Sequence, residues 1–171
     1  VSIVLPNLNG AGWLEGCLES LYAQTVQDFE VIVVDNASTD ESLETARHYA
    51  QRDNFTLVEN EVNAGFSAAV NVGIRLAKAP YVLLFNNAAF ARPDMLARLL
   101  EAMEEEPRAF AVQCLMLRHF EPEKADDAGD FVTLFGWAFK RGDGLLAARY
   151  QRPGRVFSAC AGAAIYRKAV F

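Results

Sequence analysis

Tyr81-Val-Leu-Leu-Phe-Asn-Asn-Ala-Ala-Phe90 is a short apolar run that ends abruptly in two amides. Five apolar residues without alternation read as a strand buried on both faces, the kind found in parallel sheets. Ligands of such sheets sit beyond the carboxyl ends of the strands, which is where Asn86 and Asn87 emerge. Ala88 and Ala89 come next, two methyl groups where a metal- or phosphate-handling site calls for a carboxylate.

Working outward, two earlier runs have the same character. Val1-Ser-Ile-Val-Leu5 is stopped by Pro6, and Phe29-Glu-Val-Ile-Val-Val34 leads into Asp35-Asn-Ala-Ser-Thr-Asp40. Between them Leu14, Cys17, Leu18, Leu21 and Tyr22 fall on one face of a helix, with Glu15 and Glu19 outside it. Ser38 followed by Glu41 has the form of a capping box for a helix over 40–51. A short strand at 56–59 and a turn-rich stretch at 60–65 precede a third helix carrying Ala69, Val70, Gly73, Ile74 and Ala77. Pro93 suits the first position of a fourth helix, whose apolar face is Leu96, Leu99, Leu100 and Met103. Ala109–Leu117 and Phe157–Ile165 read as two further strands, with long loops and a hairpin across 119–155. The strand–helix alternation predicts an α/β fold with a mostly parallel sheet, right-handed crossovers and helices on both faces.

Composition bounds the possibilities. The 171 residues fit one domain with a real core. A formal net charge of -6 argues against nucleic acid as the main partner. No apolar stretch approaches the roughly 18 residues of a membrane span, and no basic leader precedes an apolar segment. Cys17, Cys114 and Cys160 are odd in number and set among apolar residues, which reads as buried reduced thiols and a cytosolic location. With two His and no close Cys or His pair, a zinc site is not expected.

Several residues invite chemistry. Asp35 is suited to accept hydrogen bonds from a ribose or a base N–H, and equally to serve as a turn or cap residue. Asn63-Ala-Gly-Phe66 opens the third helix, where Gly65 would let backbone N–H groups face a phosphate, or would simply punctuate a loop. GxGxxG, GxxxxGK[ST] and GxSxG motifs are all absent. Trp137, with Phe135 and Phe139, either stacks on a sugar ring or plugs a loop onto the sheet, with packing the favoured reading. Lys140 and Arg141 beside them read as exposed loop charge in preference to a phosphate or lipid-linked contact.

The order Val-Ser-Ile-Val-Leu-Pro-Asn-Leu-Asn9, Phe-Glu-Val-Ile-Val-Val-Asp-Asn-Ala-Ser-Thr-Asp40, Asn-Ala-Gly-Phe66 with Asn71 and Gly73, then Leu-Leu-Phe-Asn-Asn87 resembles family 2 inverting glycosyltransferases of the GT-A fold, in particular the rhamnosyltransferase-like members. Cys160-Ala-Gly-Ala-Ala164 is similar to that family's small-residue strand on the acceptor side.

The resemblance implies a nucleotide-sugar-binding half at 1–100 and an incomplete acceptor-side half at 101–171. It implies sugar transfer from a UDP- or dTDP-linked donor to the hydroxyl of a saccharide or lipid-linked acceptor, in polysaccharide or cell-wall biosynthesis. The setting would be the cytoplasm, with peripheral contact at the inner face of the membrane left open. Pro6, Asn7 and Asn9 would lie at the nucleotide, Asp35 would bind the base or ribose, and Asn63, Gly65 and Phe66 would border the pocket with Asn86 and Asn87. Asn86-Asn87-Ala88 falls on the metal-binding signature, normally closed by an Asp that holds Mn²⁺ or Mg²⁺ against the diphosphate. Ala88 removes that ligand; Asn86 still offers a neutral oxygen, and a site without its carboxylate should bind metal much more weakly.

The residue that activates the acceptor is expected beyond Phe171, making the chain a truncated one. Asp126, Asp127 and Asp130 are the carboxylates nearest to that role, and solvated loop charge is their plainer reading. The competing function is a non-catalytic nucleotide- or glycan-binding descendant of the fold. A different nucleotide-binding enzyme, such as a nucleotidyltransferase, lacks its Gly- and Lys-rich loop.

Overall fold

The computed structural model describes residues 1–171. Four strands and four helices alternate through the first two thirds: β1 (Ser2–Asn7), α1 (Leu14–Tyr22), β2 (Glu30–Asp35), α2 (Ser42–Tyr49), β3 (Phe55–Glu59), α3 (Phe66–Leu76), β4 (Tyr81–Phe85) and α4 (Met95–Glu105). Six short strands follow: β5 (Ala111–Gln113), β6 (Met116–Leu117), β7 (Ala125–Asp127), β8 (Asp130–Val132), β9 (Ala138–Lys140) and β10 (Ala163–Arg167). The main sheet has the order β3-β2-β1-β4-β10-β5. Its first four strands are mutually parallel, whereas β10 runs antiparallel to both β4 and β5.

The runs without alternation are explained by helices on both faces. Ile3, Leu5, Val31, Val33, Leu83 and Phe85 point to the side covered by α1, α2 and α4, where Leu14, Leu18, Leu96 and Met103 meet them. Val4, Ile32, Val34, Val82 and Leu84 point the other way, against Ala69, Val70 and Ile74 of α3. That helix lies very close to the sheet: a Cβ on Gly73 would come within 2.3 Å of Val4 Cγ1.

Several boundaries differ from the sequence reading. Ser38 does not cap α2, because its hydroxyl is drawn into the end of β2 and donates to Asp35 Oδ1 at 2.6 Å. The turn into α2 is instead closed by Asp40 Oδ1, which accepts Ser42 N–H at 3.0 Å. Pro93 stands two residues ahead of α4, where its carbonyl accepts Thr25 N–H. The expected strand at 109–117 divides into β5 and β6. The last strand lies at Ala163–Arg167, not 157–165, because Phe157 to Gly162 pass outside the sheet before the chain enters it beside β4. The hairpin within 119–155 exists as β8–β9. All three cysteines are free thiols; Cys17 is buried as read, whereas Cys114 and Cys160 are half-buried.

Candidate functional site

The carboxyl ends of β1, β2 and β4 lie side by side because the three strands are adjacent and parallel. A cleft of about 310 Å³ opens there, lined by Pro6, Asn7, Leu8, Asn36, Asn63, Gly65, Phe66, Asn86 and Asn87. Five of these nine residues are asparagines and none is charged.

Asn7 is the hub of this edge, with only 1% of its surface exposed. Its Nδ2 donates to Asp35 Oδ1 at 2.8 Å and Ser42 Oγ at 2.9 Å, with Ser38 Oγ at 3.2 Å. Its Oδ1 accepts from Asn87 Nδ2 at 2.7 Å. One amide therefore ties together the ends of β1, β2 and β4 and the start of α2. Gly10 makes room for it, since a Cβ there would fall within 2.4 Å of both Asn7 Oδ1 and Asn87 Nδ2.

On the opposite wall Asn36 Nδ2 donates to the Gly65 carbonyl at 3.1 Å, and Asn60 Nδ2 donates to Asn36 Oδ1 at 2.8 Å. Asn63 Oδ1 accepts Gly65 N–H at 2.9 Å, folding the loop into the start of α3. Gly65 stands at φ 85°, a left-handed conformation that side chains disfavour, and α3 begins at the next residue. The positive end of α3 thus opens beside the cleft.

Seven of the nine residues expected at a nucleotide line this cleft together: Pro6, Asn7, Asn63, Gly65, Phe66, Asn86 and Asn87. Two do not. Asp35 is 1% exposed, and its oxygens are taken by Asn7, Ser38 Oγ and Ser38 N–H. It stands behind the wall and orients Asn7. Asn9 turns away to accept Thr39 N–H at 2.8 Å. Asn36 and Leu8 are the residues that sequence reasoning missed. Both adjoin residues already singled out, and the signal that placed Asp35 at a strand end applies equally to its neighbour.

The donor set at 86–88 does not fit a divalent cation. Asn86 Oδ1 accepts Ala88 N–H at 3.1 Å and is folded back onto the turn, Asn87 spends its Nδ2 on Asn7, and the side chain of Ala88 is a methyl, so the stretch holds no carboxylate. Hard cations need several oxygens, with carboxylates among them.

None of Asp126, Asp127 and Asp130 lines the cleft. Asp126 pairs with Lys140 at 3.1 Å, and Asp130 Oδ2 accepts from Ser158 Oγ at 3.0 Å. Asp127 is fully buried: Oδ1 accepts from Gln113 Nε2 and Gly129 N–H, while Oδ2 has no partner. Trp137 does not plug a loop onto the sheet; it is 69% exposed. Lys140 is exposed as read, at the end of β9, whereas Arg141 is half-buried, donates to the Ala128 carbonyl and lies over the Tyr150 ring.

The sequence profile described as Glycosyl transferase family 2 matches residues 2–171. The chain belongs to glycosyl transferase family 2. As a family 2 chain it is 36% identical over 105 residues to the uncharacterized glycosyltransferase EpsJ of Bacillus subtilis, covering 61% of this chain and 30% of that protein. It is 35% identical over 102 residues to a poly(ribitol-phosphate) beta-glucosyltransferase of Bacillus spizizenii, covering 57% of this chain and 16% of that one. Among solved structures, a mannosyltransferase of Pyrobaculum calidifontis in complex with GDP-Man and Mn²⁺ superposes with a TM-score of 0.62 at 31% identity. That match covers 68% of this chain and 35% of the other. S. aureus TarS 1-349 in complex with UDP-GlcNAc superposes over 99% of this chain and 45% of its own, with a TM-score of 0.65 at 22% identity. The fold is GT-A. This family 2 chain therefore spans well under half the length of the relatives it matches.

Proposed function

We propose that the chain is the donor-binding part of an enzyme that moves a sugar from a nucleoside diphosphate sugar, UDP- or dTDP-linked, to an acceptor hydroxyl with inversion. The observation that carries this reading is the amide-walled cleft between β1, β2 and β4, opening beside the start of α3. Asn63 and Asn86 through Nδ2, and Asn87 through Oδ1, supply neutral donors and an acceptor for a base and ribose, on a wall that Asn7 and Asn36 hold in place. The exposed ring of Phe66 offers a face for the base, and the first N–H groups of α3 face the diphosphate. Asp35 acts on the ligand indirectly, by holding the Asn7 amide in one orientation. Inversion follows from direct displacement at the anomeric carbon by an activated hydroxyl. Relatives in complex with GDP-Man and UDP-GlcNAc, and a relative that is a poly(ribitol-phosphate) beta-glucosyltransferase, favour sugar transfer in polysaccharide assembly.

One observation favours a second reading. The folded-back Asn86 amide and the methyls of Ala88 and Ala89 leave the leaving diphosphate without a metal partner. On this reading the chain binds nucleotide or glycan and does not transfer.

Calorimetric titration with UDP, dTDP and GDP, each with and without Mn²⁺, tests donor binding. Saturable binding that Mn²⁺ does not strengthen is the expected result, and no binding of any nucleotide overturns the proposal. Ala88→Asp should then introduce Mn²⁺-dependent tightening. If it does not, residues 86–88 are not the metal signature.

A further inference from the structure

The hairpin formed by β8 and β9 is exposed on both of its faces. Phe131 pairs with Phe139 across the strands and Val132 with Ala138, and all four are exposed. At the tip Leu134 is fully exposed, Phe135 is 89% exposed and Trp137 69%. A soluble surface scatters large apolar residues singly; here six lie within nine positions with nothing of this chain over them.

Thr133 N–H donates to the Trp137 carbonyl, Gly136 N–H to the Thr133 carbonyl, and Trp137 N–H to Thr133 Oγ1, each at 2.9–3.1 Å. These bonds hold the tip in a tight turn that leaves Leu134, Phe135 and Trp137 exposed.

Charge changes sign around the hairpin. Residues 130–159 hold five of the chain's 16 basic residues (Lys140, Arg141, Arg149, Arg152 and Arg155) and two of its 22 acidic residues, Asp130 and Asp143. Asp143 is paired with Arg118, Lys140 with Asp126 and Arg155 with Glu106, while neither Arg149 nor Arg152 has an acidic partner. The basic segment lies along the base of the hairpin, where Tyr150 sits beneath Arg141 and Ser158 pairs with Asp130. Arg149 and Arg152 are exposed there. A basic, aromatic-tipped element on an otherwise acidic protein matches an anionic lipid surface: aromatic rings partition to the headgroup boundary and Lys or Arg are drawn to the surface charge.

We propose that the β8–β9 hairpin seats this chain on membranes that carry anionic lipid, with Leu134, Phe135 and Trp137 entering the headgroup boundary. No helix of the chain is long and apolar enough to cross a membrane. This inference does not depend on the donor-site reading.

Co-sedimentation with phosphatidylcholine vesicles, with and without phosphatidylglycerol, tests it. Trp137 emission is followed in a Trp13→Phe background. The chain should sediment with the anionic vesicles, and the emission should shift to the blue. Phe135→Ser with Trp137→Ser should reduce binding by about tenfold or more, as loss of two buried aromatic side chains predicts. Arg149→Gln with Arg152→Gln should remove about tenfold or more of the preference for anionic vesicles and leave the residual neutral binding intact. Both pairs are exposed, so circular dichroism should show unchanged folding. The proposal is overturned if the chain stays in the supernatant with anionic vesicles. Equally, light scattering that shows a dimer dissolved by the tip substitutions would make a second copy the true occupant of the hairpin.

Discussion

The parallel half of the molecule and the stretch 104–162 contain apolar residues of the same kinds, yet they use them in opposite ways. Both hydrophobic clusters draw their buried members from residues 3–103 and from Ala163 and Ile165, and none from 104–162. Phe110, Phe120, Phe131, Phe135, Trp137 and Phe157 of that stretch are all exposed. Burial in the first region follows from crossover helices that close over each strand pair. In the second, strands of two or three residues are joined by turns, and no helix returns to cover them. Apolar content alone therefore says little about where a core forms; the connection between strands decides it.

The sharpest way to break this comparison is a matched pair of truncations. Phe85→Ala should cost about 3–5 kcal/mol in urea denaturation, as expected for a buried aromatic. Phe135→Ala should stay within about 0.5 kcal/mol. A large loss from Phe135→Ala would mean that the hairpin tip is packed and that the two regions do not differ. Next in size, Asn7→Ala should cost about 1–3 kcal/mol, because buried Asp35 loses its amide partner, and should weaken nucleotide binding as well. Binding without change would show that the hub plays no part in recognition. Gly73→Ala should cost a similar or smaller amount, about 1–3 kcal/mol, since the methyl must push α3 off Val4. An unchanged midpoint would mean that α3 tolerates displacement and that the first region is looser than described. The smallest effect is chemical. Burial pushes the Cys17 thiol up to about 12, so alkylation at neutral pH should spare it until the chain unfolds. Rapid labelling of the native chain would show that the core opens locally.

The first region was readable because its signals are redundant. An unalternating run such as Tyr81–Phe85, a helical stripe such as Leu14/Cys17/Leu18/Leu21 and a strand-end amide such as Asn86 each point to the same parallel sheet. Most of the cleft followed, since strand-end residues of a parallel sheet share an edge. Asp35 was harder: the sequence marks a carboxylate at a strand end, but only packing reveals that Asn7 and Ser38 take up both its oxygens. Ser38 misled for the same reason, because a capping pattern is local and the competing partner lies on another strand. In the second region Phe157–Ile165 looks like a strand, yet only Ala163 onward finds a neighbour in β4. Trp137 invites a packing reading by residue type, which carries no information about whether another segment lies over it.

The cleft wall has a consequence for how binding should respond to acidity. Proline, leucine, glycine, phenylalanine and five asparagines offer no proton to gain or lose between acid and alkaline solution. The wall keeps one electrostatic character across that whole range. Any pH dependence of nucleotide affinity should therefore mirror the ionisation of the ligand's own terminal phosphate, which falls at about pH 6 for groups of this type. A titration whose inflection follows the nucleotide would read the guest's protonation against a host that does not answer.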